Sequence, residues 1–286
     1  MRLTILLILA ILNATSAAAE RVDLGGRFYR IDLPATVAGA PILVALHGGG
    51  GNPDQFARAS GLAEAAQAAG YAVILPAGSG RGRLLTWNAG YCCAAAAQAG
   101  VDDLAFLDAV IADARARFGL SDDRLFLTGM SNGSMLAETY AALRADRVTA
   151  VAGVAGTPDV AHLHPRFAVP LLHIHGTADD HVPYTGGVGP SGLTNTDFAA
   201  VADLISTFHA PFGRGLVRSE RIIDPADDGM RVVEETWSKN GRPALRLLTV
   251  EGGGHHWPGG PRAGRRGGTR DISANAEILW FFESFR

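Results

Sequence analysis

Residues 129–133 read Gly-Met-Ser-Asn-Gly, set between the apolar run Leu125-Phe126-Leu127-Thr128 and an Ala- and Leu-rich stretch from Asn132 to Leu143. The first flank has the make-up of a buried strand, the second that of a helix. A turn leading from strand to helix within this spacing is so tight that its serine takes a strained backbone conformation. The residues two positions away on either side must then lack a side chain. Ser131 is thereby held above the end of the sheet, at the positive pole of the next helix, where an attacking oxygen and an oxyanion are both stabilised. In a chain with 36 glycines the five-residue pattern is weak evidence alone, so its surroundings decide.

Those surroundings alternate strand and helix. Residues 28–33 alternate like an antiparallel edge strand, and the apolar run 41–46 ends in His47-Gly48-Gly49-Gly50-Gly51 and reads as a central strand. A helix over 54–69, a short strand over 71–75 and a long Gly- and Ala-rich loop over 79–100 follow. Asp102 or Asp103 caps a helix running to about Phe118, with Leu104, Leu107, Val110 and Ile111 on one stripe. Beyond the elbow, strands are expected over 148–154, 171–175, 232–237 and 245–250, with helices over 195–209 and 272–285. This order implies an α/β chain with a mostly parallel central sheet and helices on both faces. A Gly-x-Ser-x-Gly elbow in that setting is the signature of the α/β-hydrolase fold.

The N-terminus carries Met1-Arg2, an apolar run over residues 3–12 and small residues before Glu20, which is the pattern of a secretory signal peptide cleaved after Ala19. The run is too short to span a bilayer, which needs about 20 residues. Residues 1–19 are therefore expected to be removed, leaving 20–286 as one catalytic domain in a secreted or periplasmic protein with no membrane attachment. A net charge of −3, with both signs dispersed, argues against nucleic-acid partners. The basic cluster between Arg262 and Arg270 is interleaved with glycine and reads as a solvated loop. The two cysteines, Cys92 and Cys93, are adjacent, so they cannot staple distant segments; they either form a vicinal disulfide, the favoured reading, or stay reduced and buried.

An elbow serine requires an acid and a histidine, in that order, past the ends of later strands. The strand over 171–175 runs into Gly176-Thr177-Ala178-Asp179-Asp180-His181, and the strand over 245–250 runs into Gly252-Gly253-Gly254-His255-His256-Trp257. Asp179 is favoured over Asp180 because it is nearer the strand end. His255 is favoured over His256 because it comes first after the glycine turn. In these roles Ser131 attacks an ester carbonyl, the histidine moves the proton, and the aspartate fixes the imidazole tautomer. Backbone N–H groups of Asn132 and Gly49 are the expected oxyanion donors.

Other residues have plainer readings. His47 is expected to brace the glycine loop, His173 and His175 to lie in the core at the sheet end, and His162 and His164 to be solvated. No H-E-x-x-H or comparable spacing supports a metal site, and no cofactor is expected. Trp87, Tyr91 and Trp257 flank the site in loops, and Trp87 and Trp257 are candidate substrate contacts.

With these residues in view, the chain resembles the secreted polyhydroxybutyrate depolymerases and feruloyl or acetylxylan esterases. The resemblance rests on Leu46-His47-Gly48-Gly49-Gly50-Gly51, Trp87-Asn88-Ala89-Gly90-Tyr91-Cys92-Cys93, Val101-Asp102-Asp103-Leu104-Ala105-Phe106 and Thr128-Gly129-Met130-Ser131-Asn132-Gly133. It continues through His173-Ile174-His175-Gly176-Thr177-Ala178-Asp179 and Gly252-Gly253-Gly254-His255-His256-Trp257-Pro258-Gly259-Gly260. It implies an α/β-hydrolase with Ser131 as nucleophile, Asp179 as acid and His255 as base. Many members of that family carry a cysteine where this chain has Gly49 and another after the segment 234–237. Both are absent here, so their disulfide pattern does not transfer.

The resulting expectation is a secreted serine esterase for polyester oligomers or for feruloyl or acetyl esters of plant polysaccharide. A serine peptidase of the same fold would use the same groups and is separated by ranking esters against aminoacyl amides. A catalytically silent binding protein is separated by labelling of Ser131 with a fluorophosphonate.

Overall fold

The computed structural model describes residues 19–260 and 267–286. Residues 1–18 of the expected signal segment 1–19, and residues 261–266 of the basic cluster, lie outside the described residues. Ten strands form one sheet. From one edge their order is Glu20–Leu24, Arg27–Asp32, Ala72–Pro76, Ile42–Leu46, Leu125–Met130, Ala150–Val154, Leu171–Gly176, Arg242–Glu251, Arg231–Lys239 and Val217–Ile223. The six strands from Ala72–Pro76 to Arg242–Glu251 in that order run parallel, and antiparallel strands flank them at both sides.

The central strands are apolar on both faces because both faces are covered. Ile42, Val44 and Leu46 pack on one side with the helices Asp103–Phe118, Asn132–Leu143 and Val201–His209. Leu43 and Ala45 pack on the other with Pro53–Ser60, Leu62–Ala68 and Ala274–Glu283. Asp102 caps its helix through the Ala105 N–H at 2.9 Å. Asp103 is instead buried, taking the Arg27 guanidinium at 2.7 Å and the Asn88 N–H at 2.7 Å. It thereby ties the loop that carries Trp87 to the strand Arg27–Asp32.

Several boundaries differ from expectation for physical reasons. Gly61, at φ +67°, ends one helix and starts the next, so the expected helix over 54–69 is two. Residues 27–32 are not an edge, because Glu20–Leu24 pairs outside them. The helix expected from Asn195 begins only at Val201, since Asp197–Phe198 pairs with Gly187–Val188 in a small hairpin. The loop over 79–100 contains a second hairpin, Ser79–Arg81 with Leu84–Thr86, and the helix Ala94–Gln98. Cys92 and Cys93 are buried and joined as a vicinal disulfide. No helix among the described residues is long and apolar enough to cross a membrane.

Candidate active site

The elbow follows from its steric demands. Ser131 sits at φ 56°, ψ −125°, between Leu125–Met130 and Asn132–Leu143. A Cβ on Gly129 would overlap Gly133 and approach the Ser134 nitrogen to 2.8 Å, and one on Gly133 would overlap the carbonyl oxygens of Leu46 and His47. Gly156 is a third glycine that the sequence pattern does not reveal: a Cβ there would run into the Ser131 backbone. The Ser131 N–H donates to Val154 O at 2.8 Å, so the strained residue is anchored to the adjacent strand.

The acid and histidine come from the ends of neighbouring parallel strands, Leu171–Gly176 and Arg242–Glu251. His255 Nδ1 lies 2.7 Å from Asp179 Oδ2. The other carboxylate oxygen, Oδ1, accepts the backbone N–H groups of His181 at 2.8 Å and Val182 at 2.9 Å. Burial alone would push this carboxyl up, but hydrogen bonds from His175 and His255 outweigh it and hold Asp179 well below the usual carboxylate range. Asp180 points away: it is exposed and pairs with His181 Nδ1 at 2.7 Å and the Ser191 hydroxyl at 2.8 Å. Of the two adjacent histidines, His255 is the one against Asp179, while His256 packs its ring against Gly267.

Ser131, Asn132, His255, His256, Gly49 and Trp257 all line one cavity of about 330 Å³. Its walls include Phe56, Met130, Met135, Val182, Leu193 and Phe198. In the glycine loop the Gly50 N–H donates to Leu85 O at 2.8 Å and the Gly51 N–H to Gly48 O at 3.0 Å. The Gly49 and Asn132 amides have no backbone acceptor among the described residues. A Cβ at Gly49 would come within 2.6 Å of Leu193, so the loop over 187–198 closes against a side-chain-free surface.

Trp87 requires a correction. It is fully buried and does not line the cavity. Its indole N–H donates to His47 O at 2.9 Å, and its backbone exchanges hydrogen bonds with the Asn132 amide at 2.7 and 3.1 Å. Trp87 therefore buttresses the glycine loop and the elbow from behind. A buried indole N–H needs an acceptor, and the strand end supplies one. His47 braces the same loop, donating from Nδ1 to Gly48 O at 2.8 Å while its Nε2 accepts the Gly78 N–H at 3.1 Å. Tyr91 is half-buried, donating its hydroxyl hydrogen to Thr157 O at 2.8 Å.

His181 is a site residue that strand-end reasoning passes over, and its ring stacks on His255 with centroids 4.6 Å apart. Asp179, His181 and His255 bring potential metal-ligand atoms within 4.8 Å of one another. The two imidazole planes are only 12° from parallel, so their in-plane lone pairs do not converge on one point. The arrangement suits a hydrogen-bonded acid–base pair better than a common ion.

Comparison with known proteins gives the family of the chain. Residues 28–178 match the model of the family described as esterase PHB depolymerase. The chain is 31% identical over 266 residues to NocK of Nocardia uniformis subsp. tsuyamanensis, a protein named as an esterase, covering 87% of this chain and 76% of that protein. It is 27% identical over 168 residues to the bifunctional acetylxylan esterase/xylanase XynS20E of Neocallimastix patriciarum, covering 58% of this chain and 23% of that protein. An acetyl xylan esterase from Aspergillus awamori superposes with a TM-score of 0.64 at 14% identity, over 94% of this chain and 100% of that one, a likeness of fold. Matched over more than half its length by that family's model, the chain is a member of the esterase PHB depolymerase family of carboxylic ester hydrolases.

Proposed function

We propose that the protein is a serine esterase that works through an acyl-enzyme on Ser131, with His255 as general base, Asp179 as its orienting acid and the Gly49 and Asn132 amides as oxyanion donors. The observation carrying this reading is the 2.7 Å contact between His255 and Asp179, on a histidine that shares its cavity with the strained serine. Asp179 accepts the Nδ1 hydrogen, leaving Nε2 bare to take the Ser131 proton. The serine oxygen adds to the ester carbonyl, the oxyanion turns towards the two amides, and His255 returns the proton to the departing alcohol. Water then repeats the sequence on the acyl-serine.

The substrates proposed are hydroxyalkanoate oligomers, or acetyl or feruloyl esters of plant polysaccharide, met outside the cytoplasm after loss of residues 1–19. Apolar walls and a volume of about 330 Å³, near the small end of ligand pockets, favour one neutral acyl group at a time. A panel of short aliphatic esters, methyl ferulate, hydroxybutyrate oligomers and aminoacyl amides, run on the parent and on Ser131→Ala, tests this. Ester turnover abolished by the substitution is expected. Preference for the amides would instead support a peptidase.

A further inference from the structure

Behind Asp179 runs a line of buried polar groups that the proposed triad does not use. His175 Nε2 lies 2.8 Å from Val182 O and 3.4 Å from Asp179 Oδ2. His175 Nδ1 is 3.0 Å from His173 Nε2, and His173 Nδ1 is 2.8 Å from Glu138 Oε1. All three side chains are buried. Room for the carboxyl exists because residue 153 is glycine: a Cβ there would come within 2.8 Å of Glu138 Cδ.

For uncharged groups this line admits one arrangement of hydrogens. Val182 O only accepts, so His175 Nε2 carries hydrogen and its Nδ1 is bare. That bare nitrogen accepts from His173 Nε2–H, which leaves His173 Nδ1 in need of a donor. Glu138 Oε1 faces it, so Glu138 is the carboxylic acid. Its second oxygen, Oε2, has no hydrogen-bond partner, a state that a buried carboxylate tolerates far less well than an acid carbonyl. Ser134, beside it, donates to Gly156 O at 3.1 Å instead. Burial pushes Glu138 up and His173 down, in the same sense. The other titratable groups facing this line are Asp179 and Tyr184, whose ring stands edge-on to His175 at 5.8 Å.

We propose that Glu138 and His173 are positioning residues that lock His175 as its Nε2–H tautomer, so that it clamps the 179–182 turn and holds Asp179 against His255. This rests on the triad reading above. The test is ¹⁵N-histidine NMR of the purified protein, combined with kinetics of Glu138→Gln and Glu138→Met. Both His173 and His175 are expected as the Nε2–H tautomer. Glu138→Met is expected to lose about 10- to 100-fold in kcat with little change in KM, because the turn is displaced rather than the cavity. Glu138→Gln, whose amide N–H replaces the acid's donor, restores kcat. An Nδ1–H tautomer of either histidine, or a folded Glu138→Met with parental kcat, overturns the proposal. Should Glu138→Met not fold, the spectra of the parent and the activity of Glu138→Gln decide alone. Fluorophosphonate labelling of Ser131 in the parent reports on the triad separately.

Discussion

His181 lies parallel to His255, ring on ring, while its own Nδ1 is held by Asp180 and its backbone N–H by Asp179. The stack blocks one side of the His255 ring, leaving rotation in the plane that meets Asp179. Such ring contacts contribute about 0.5–1.5 kcal/mol. His181→Ala is therefore expected to lower kcat by roughly 2- to 10-fold with the fold intact. Steady-state kinetics with circular dichroism checks this, and an unchanged kcat would assign the stack to packing alone.

The two tryptophans should separate by kinetic constant. Trp257 lines the cavity, with its indole N–H on Asn275 at 2.9 Å, so Trp257→Ala should raise KM through lost wall area. Trp87→Phe removes the N–H that holds His47 O together with part of a fully buried ring, and should cost about 1–3 kcal/mol in stability and reduce kcat with KM near parental. A raised KM in Trp87→Phe would return that residue to the substrate surface.

His47 makes stability depend on pH. Burial lowers its pKa to about 4, against about 6.5 in the unfolded chain. The unfolded state therefore binds the extra proton first. The stability associated with neutral His47 is complete above pH 6.5 and is lost as pH falls through about 4, amounting to about 3 kcal/mol. Urea unfolding at pH 7, 5.5 and 4 should show this decline, and His47→Gln should flatten it.

Gly133→Ala should be severe. Its Cβ would overlap Leu46 O and His47 O, which are strand-end backbone with nowhere to move, so a loss of about 3 kcal/mol or failure to accumulate folded protein is expected. A stable, active Gly133→Ala measured by thermal unfolding would contradict the described elbow.

What was legible in the chain was what local pattern encodes. The strand-to-helix turn reads from two glycines around a serine, and the contact between Asp179 and His255 joins two residues that each sit just past an apolar strand. The Val217–Ile223 strand was not legible, because it is exposed along nearly its whole length and shows no buried alternation. Trp87 misled because an aromatic residue in a glycine-rich loop looks like a cleft residue until the strand end that accepts its N–H is known. The Glu138–His173–His175 line joins a helix to a strand across 35 positions, so no spacing announces it. His181 left one trace: it directly follows the Asp179-Asp180 pair.

The proposed chemistry requires that Ser131 carry the acyl group. Rapid-quench mass spectrometry during turnover of a p-nitrophenyl ester measures this directly. A transient acyl adduct is expected on the peptide containing Ser131, absent in Ser131→Ala together with ester turnover. Full turnover without an adduct, undiminished by that substitution, would contradict it.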